Sequence, residues 1–399
     1  MGKTFIRSLS PKNVLSFGPD SGKIELTALN VLIGANGSGK SNLLEVVELL
    51  RATAGDLARR VREGGGVEEW LWKGPGDVRE AKLQAEIEYP AGRMPLVHRV
   101  AFAAVGQRLE LLDEAIENVQ PEQPWQDDVH FYYRFQSGNP AINVRQVEGG
   151  SYSSRTIRRE DLKPDQSVLY QRRDPETYPE LTYLARAYEQ IRLYREWNFG
   201  RQTAPRLPQQ TDLPSDFLLE DATNLALVLN DLEHKSGAHE ILIEALREFS
   251  PDIENLSVRL SGGTVQLFLR EQALRSPIPA TRASDGTLRY LSLLAVLCHP
   301  SPPALVCIEE PEIGLHPDCL PGLAELLVQA SERTQLIVTT HSDVLVDALT
   351  ERPESVVVCE KEKGQSSFRR LSGEDLREWL DQYRLGEIWR KGVIGGNRY

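Results

Sequence analysis

Several signals that would settle the class of this chain at once are scarce or missing. Its 399 residues include only 4 cysteines. Cys298, Cys307, Cys319 and Cys359 show neither CxxC spacing nor disulfide density, which suits a reducing compartment and buried, hydrophobe-like thiols. Long apolar runs are lacking, and the longest, LSLLAVLC at 291–298, is too short to span a bilayer. The opening MGKTFIRSLSPKN has no apolar h-region, so a cytoplasmic protein with no membrane partner is expected. Positive charge is short as well: a net charge of -12 argues against a surface coated for nucleic acid, while leaving room for a local basic groove. His234 and His239 straddle a loop without the cysteine or carboxylate geometry of a zinc site. No internal repeat occurs, and no heptad run is long enough for a coiled-coil arm.

What is present is a chain able to bury a sizeable core, of a length that suggests two or three domain-sized units. Near its start, ELTALNVLIGANGSGKSNLLEVVELLR reads as an apolar strand at 29–33, a glycine-rich turn, and a helix with Leu43, Leu44, Val47 and Leu50 on one face. Inside it, GANGSGKS at 34–41 fits G-x-x-x-x-G-K-[ST]. Gly34, Gly37 and Gly39 let backbone N–H groups turn inward around phosphate oxygens, with Asn36, Ser38 and Asn42 completing the loop and helix start. Lys40 would reach the β- and γ-phosphates of ATP, and the Ser41 hydroxyl would ligate Mg²⁺.

Much later, PPALVCIEEPEIGLHP gives a buried strand at 304–308 that ends in Glu309 and Glu310. Carboxylates at the C-terminal end of a parallel strand lie where such sheets bind ligands. Glu309 would hold the Mg²⁺ shell through water, and Glu310 would orient and deprotonate the attacking water. Neighbouring strand residues point opposite ways, so both can serve only if the strand stops here, as Pro311 suggests. TQLIVTTHSDVLVDAL then predicts a strand at 335–339 and His341 just before a helix capped by Ser342 or Asp343. His341 would hydrogen-bond the terminal phosphate and the attacking water.

The order GANGSGKS, ASDGTLRYLSLLAVL, LVCIEEPEIGLHP, VTTHS resembles the ATPase head of the ABC superfamily, on the branch with RecF, SMC and OLD-type proteins. The nearest resemblance is to stand-alone bacterial ATPases of the AAA_21 type, through EEPE-x-GLHP and the LGEIWRKGVIGG segment at 385–396. It implies an α/β P-loop NTPase of ABC type with two lobes, a mixed sheet core with antiparallel strands, and a helical second lobe. The expected divisions are 1–135 and 283–399 for the first lobe and 136–282 for the second. It also implies a homodimer or higher homo-oligomer with ATP sandwiched between subunits, and a metal-sensing glutamine, for which Gln171 after the apolar SVLY stretch is the candidate.

Two peptides compete for the signature that meets the partner's nucleotide in that family. LSGGT at 260–264 lies between alternating runs, which reads as a hairpin; no helical pattern follows it. ASDGT at 283–287 precedes a buried helix and the acidic strand, so Ser284 and Gly286 are the expected contacts. Asp285 would repel a phosphate unless it bonds an arginine, with Arg282 and Arg289 nearest in sequence. In the middle, residues 78–135 alternate as antiparallel strands extending the first lobe's sheet, and helices are predicted at 180–197, 222–233 and 238–249. Aromatic and basic residues interleave from Tyr183 through Arg192, Arg195, Trp197 and Phe199 to Arg201; this reads either as a DNA-tracking face or, preferentially, as an amphipathic helix packed inward.

No D-x-D pair exists, so the carboxylates of a Toprim nuclease domain are missing from this chain. The function expected is therefore an ATP-hydrolysing dimer that regulates a separately encoded effector, Toprim-like or other, in anti-phage defence or a DNA transaction. The rival readings are the soluble ATPase subunit of a membrane transporter, a RecF-like repair ATPase, and a scaffold that binds ATP without hydrolysing it.

Overall fold

Apolar side chains on both faces mark LNVLI, LVCIE and QLIVT as strands for the middle of a covered sheet, and that is where they lie. A computed structural model of the protein describes every residue except 1, 77, 124, 126–127, 137, 146–151, 158–160, 236 and 397–399. The chain opens with β1 (Ile6–Lys12), β2 (Ile24–Glu25) and β3 (Leu29–Ile33), followed by α1 (Lys40–Thr53), α2 (Leu57–Glu63) and α3 (Val67–Trp70). Polar–apolar alternation then produces β4 (Glu80–Ile87), β5 (Leu96–Val105), β6 (Arg108–Asn118), β7 (Phe131–Gln136), β8 (Asn139–Arg145) and β9 (Tyr152–Thr156).

The middle contains α4 (Val168–Gln171), α5 (Pro179–Glu189), β10 (Arg192–Tyr194), β11 (Gln209–Gln210), α6 (Leu225–Glu233) and α7 (Ala238–Phe249). It closes with β12 (Ile253–Ser261), β13 (Thr264–Glu271) and β14 (Ile278–Pro279). The last part alternates helix and strand: α8 (Asp285–Leu297), β15 (Leu305–Glu309), α9 (Leu320–Ala330), β16 (Gln335–Thr339) and α10 (Asp343–Asp347). It ends in β17 (Val356–Glu362), β18 (Gln365–Arg370), α11 (Gly373–Leu380) and α12 (Leu385–Arg390).

These strands form three sheets. The central one runs β10-β15-β16-β3-β17-β18, parallel except for β18. An antiparallel sheet runs β2-β1-β4-β5-β6-β7-β8-β9, and a small one joins β11, β13 and β12 with β14 beside β13. Successive residues of the central strands feed two cores, as the period of two requires. Val31, Ile33, Val306, Ile308, Leu336 and Val338 pack with α6 to α9 and α12 on one face. Leu32, Leu305, Cys307, Ile337 and Val357 pack with α1, α5 and the antiparallel sheet on the other.

A single buried side chain welds the two large sheets. Gln335, at the start of β16, accepts from the N–H groups of Phe5 (3.2 Å) and Ile6 (2.8 Å) and donates to the carbonyls of Ile6 (2.8 Å) and Thr27 (2.9 Å). The amide thus satisfies four backbone groups at the edge of β1 that β2, paired only at Ser8 and Leu9, does not cover.

Three expectations fail, each for a long-range reason. The antiparallel strands form their own sheet instead of extending the central one, and β8 and β9 belong to it, so no sheet ends at residue 135. The helix predicted over 180–197 stops at Glu189. Residues 192–194 become a central-sheet strand because they pair with Val306–Ile308, and tertiary pairing outweighs local pattern. The apolar stretch 167–170 is not a strand: Ser167 caps the short helix α4 through Leu169 N–H. The segment that leaves both large sheets is therefore shorter than 136–282 and begins beyond β10.

Replacing Gln335 with leucine should strip those four backbone groups of their partner and lower unfolding stability by at least about 3 kcal/mol. Urea denaturation of the purified variant checks this; a loss below about 1 kcal/mol would show that the weld is dispensable.

Candidate functional site

Parallel register brings three loops to one edge. Glu309 stands opposite Thr339, and Thr339 opposite Leu32, so the segments leaving β3, β15 and β16 emerge side by side. The loop after β3 is forced to be glycine from behind. A Cβ at Gly34 would lie 2.2 Å from the Cys359 carbonyl oxygen of β17. At Gly39 (φ +109°) it would lie 2.1 Å from Ser366 Oγ of β18. Gly39 caps α1 without a side chain, leaving the N–H groups of the first turn open to an anion at the positive end of the dipole. The Ser38 hydroxyl is buried with no hydrogen-bond partner among the described residues.

Lys40 lies buried in this loop, its Nζ donating to the carbonyls of Gly34 (2.8 Å) and Ala35 (3.1 Å). Burial lowers its pKa from 10.5, against the upward pull of nearby groups that include Glu310, Glu309 and Glu312. The Ser41 hydroxyl donates to Glu309 Oε1. Hydroxyl and carboxylate oxygens meeting beside a phosphate-type loop suit a small hard cation, which ordinarily takes few protein ligands and completes its shell with phosphate and water. Ser41 and Glu309 are thus the residues that could hold such an ion.

Glu310 explains how two adjacent glutamates face one site. Its backbone is left-handed, φ +47°, a conformation that costs a non-glycine residue about 1–3 kcal/mol. Its N–H holds the turn by donating to Thr339 O (3.0 Å) and Thr339 Oγ1 (3.2 Å). The strand therefore ends at Glu309, and Glu310 turns toward His341, whose Nε2 lies 3.5 Å from Glu310 Oε1. Glu312, which sequence reasoning passed over, positions that histidine: its Oε1 accepts from Thr340 Oγ1 (2.7 Å) and His341 N–H (2.8 Å). Ser342 caps α10 through Leu345 N–H. Asn36, Gly37, Gly39, Lys40, Ser41, Asn42, Glu310 and His341 line one cavity of about 350 Å³.

A family described as "AAA domain, putative AbiEii toxin, Type IV TA system" matches residues 29–347. The chain belongs to this AAA_21 family. Among solved structures, an SMC head bound to the C-terminal winged-helix domain of ScpA is 15% identical, with a TM-score of 0.58 over 94% of this chain and 99% of that one. An SMC head from Pyrococcus furiosus, with an extended coiled coil and bound to the C-terminal domain of ScpA, is 13% identical, with a TM-score of 0.57 over 95% and 99%. No curated protein matches the chain. The protein thus shares its α/β fold with the SMC heads.

Within that fold, LSGGT is the tip of the β12–β13 hairpin, with Ser261 opposite Thr264 and left-handed Gly262 and Gly263 in the turn. Ser284 instead caps α8, its Oγ accepting from Thr287 N–H at 3.0 Å. Gly286 has no room for a side chain, since a Cβ would lie 2.6 Å from the carbonyl of Gly314, beyond the acidic strand end. Asp285 does bond an arginine, but it is Arg206 and not Arg282 or Arg289. Arg206 is 5% exposed and also donates to the carbonyls of Phe199 (2.7 Å) and Ala280 (3.3 Å), which ties the start of α8 to the loop after β10. Arg289 lies over the rings of Trp197 (5.8 Å) and Phe199 (5.7 Å).

One expectation does not hold in place. Gln171 is not at the cavity: its amide closes a local loop by accepting from Lys163 N–H (2.8 Å) and donating to the carbonyls of Lys163 and Gln166. Of the two readings of the aromatic and basic run, the preferred one, inward packing, is what the structure shows: Leu184, Tyr188, Ile191, Tyr194 and Phe199 are buried, and Arg195 is bound by Glu45 and Glu309. Of that run, Arg195 is the residue that reaches the site.

Burial, and the nearby Lys40 cation, lower the pKa of His341 from 6.5. A base whose folded pKa is depressed binds fewer protons in the native state, so it stays neutral at pH 7 and opposes folding only as pH falls below 6.5. NMR titration should place the midpoint of this imidazole below 6.5; a midpoint at or above that value would contradict its partial desolvation beside Lys40.

Proposed function

We propose that the protein binds ATP with Mg²⁺ in the cavity at the sheet edge, hydrolyses it to ADP and phosphate, and closes as a dimer over two nucleotides. The observation that carries this reading is the convergence of Lys40, Ser41, Glu310 and His341, from three separate segments, on one cavity, with Glu309 bonded to Ser41 beside it. A neighbouring cavity of about 420 Å³ shares Asn42 and offers Leu15, Trp72, Lys73 and Lys361 beside it, a suitable continuation for a nucleoside.

The chemistry is positioning and charge stabilisation. Lys40 exchanges its two carbonyl partners for phosphate oxygens, and the open N–H groups of α1 take the remainder of the negative charge. A divalent cation at Ser41 and Glu309 would neutralise charge on the phosphates. Glu310 takes a proton from water as its oxygen attacks the γ-phosphorus and ADP leaves with the bridging oxygen. Neutral His341 donates to the terminal phosphate, its backbone N–H anchored by Glu312. Ser284 and Gly286 of one subunit would complete the site of the other, with the charge of Asp285 neutralised by Arg206. ATP then shifts the equilibrium toward the closed dimer by binding it better than the open form.

The head would act on a separate polypeptide. The family's description as part of a type IV toxin–antitoxin system, and the SMC heads seen with ScpA domains, support an effector-regulating role in defence or a DNA transaction.

Glu310→Gln should retain ATP binding, lower phosphate release at least about 100-fold, and accumulate as an ATP-bound dimer in light scattering. A variant that stays monomeric at saturating MgATP would count against the sandwich, and undiminished phosphate release would remove Glu310 from its role.

A further inference from the structure

The segment LGEIWRKGVIGG at 385–396 has no task in the reaction above, although it meets both the helix after His341 and the start of the phosphate-type loop. Its helix, α12, is held against α10. Asp347 Oδ1 accepts from the N–H groups of Gly386 (2.6 Å) and Glu387 (3.2 Å), Thr350 Oγ1 accepts from Leu385 N–H (3.1 Å), and Arg390 Nη1 lies 2.8 Å from Asp343 Oδ2. A Cβ on Gly386 would lie 2.2 Å from the Asp343 carbonyl oxygen, so the two helices meet backbone to backbone. Beyond α12, Ile394 is buried with Ile388 and Trp389 in the core that also holds Ile33 and its sheet neighbour Val358. Arg369 Nη2 of β18 donates to the Ile394 carbonyl at 2.7 Å, and Glu360 Oε1 of β17 accepts from Gly396 N–H at 3.1 Å. There the chain reaches Gly34. Gly396 is left-handed, φ +75°, and a Cβ on it would lie 3.3 Å from Gly34 Cα and 3.1 Å from Val358 Cγ1, tighter than side chains ordinarily pack. Gly34 is the residue whose carbonyl, with that of Ala35, receives Lys40.

We propose that residues 392–396 brace the phosphate-type loop, with Glu360 and Gly396 as positioning residues that hold Gly34, and through it the carbonyls around Lys40, in the conformation that receives phosphate. Gly34, Gly37 and Gly39 give the loop much backbone freedom, and whatever persists in the empty protein must be lost when a ligand binds. Support from β17 and from Gly396 removes that cost in advance. The inference rests on the ATP reading for its ligand, whereas the restraint on the loop is a property of the empty protein and is measurable without one.

The test uses the full-length protein and two measurements. Glu360→Leu removes the acceptor of Gly396 N–H without crowding the loop, and Glu360→Gln restores an acceptor at the same atom. In hydrogen exchange without nucleotide, Glu360→Leu should speed exchange in peptides covering 34–42 by about fivefold, the effect of one lost hydrogen bond, while peptides of β15 and β16 keep wild-type rates. In calorimetric titration with a non-hydrolysable ATP analogue and Mg²⁺, it should bind about fivefold more weakly, and Glu360→Gln should restore both readouts. Gly396→Val forces a β-branched residue into a left-handed position against Gly34; it should change both readouts at least as much, and decides the matter if Glu360→Leu fails to fold. In a folded variant, unchanged exchange at 34–42, faster exchange with unchanged affinity, or faster exchange across β15 and β16 as well overturns the brace. Failure of Glu360→Gln to restore the loop overturns the role of Glu360 as acceptor. A wild-type protein that does not bind the analogue would instead remove the ATP reading, and the exchange rates would still decide the brace.

Discussion

The site depends on the register of three parallel strands. Because Glu309 faces Thr339 and Thr339 faces Leu32, the phosphate-type loop, the acidic pair and the histidine leave the sheet at one level. A slip of one residue in β15 would reverse the facing of every side chain on that strand, moving Cys307 and Leu305 out of one core and Val306 and Ile308 out of the other. Two filled cores therefore enforce the position of a polar edge that makes little stabilising contribution of its own. Gln335 performs the corresponding task at the opposite end of β16, where it ties β1 to the same strand.

The working side of this frame carries both strain and a missing partner. Glu310 is held in a left-handed turn by Thr339, and Ser38 is buried without a partner among the described residues. Lys40 is sunk among carbonyls in a place that lowers its pKa. Each is unfavourable in the protein alone and would be relieved, or used, by the polyanion and cation of the proposed reaction. A site whose groups are poorly satisfied by one another but well placed for phosphate is preorganised in the sense that catalysis requires.

Much of this was legible in the sequence where the signal is local. Strand, loop and helix are contiguous from Leu29 to Thr53, so periodicity and glycine spacing located the phosphate loop. The hairpin of LSGGT and the cap at Ser284 were equally local. What escaped depends on residues far apart in the chain. Arg206 reaches Asp285 across 79 positions and Arg195 reaches Glu309 across 114. Neither arginine carries a pattern that distinguishes it from a solvated one. Residues 192–194 satisfy a helical period and a strand period together; only pairing with β15 decides between them. Gln171 has the type and approximate setting expected of a metal-sensing residue, but a short helix places its amide against its own loop.

The segment from Glu310 to Gly314 joins the two halves of the proposed reaction. At one end its glutamates hold and face His341. At the other, the Gly314 carbonyl lies so near Gly286 that no side chain fits between them. The short distance between is stiffened by bonds from Ile313 N–H to Glu310 O and from Leu315 N–H to Glu312 O. A change in the turn at Glu310 would therefore be carried to the peptide proposed to meet the partner's nucleotide, because tightly packed backbone transmits displacement and does not absorb it. The loop from Trp197 to Arg206 grips the same helix start through Asp285 and Arg289. In the proposed reaction, nucleotide occupancy in one subunit and the contact offered to the other would thus be two ends of one packed unit, which is what a head that signals by closing requires.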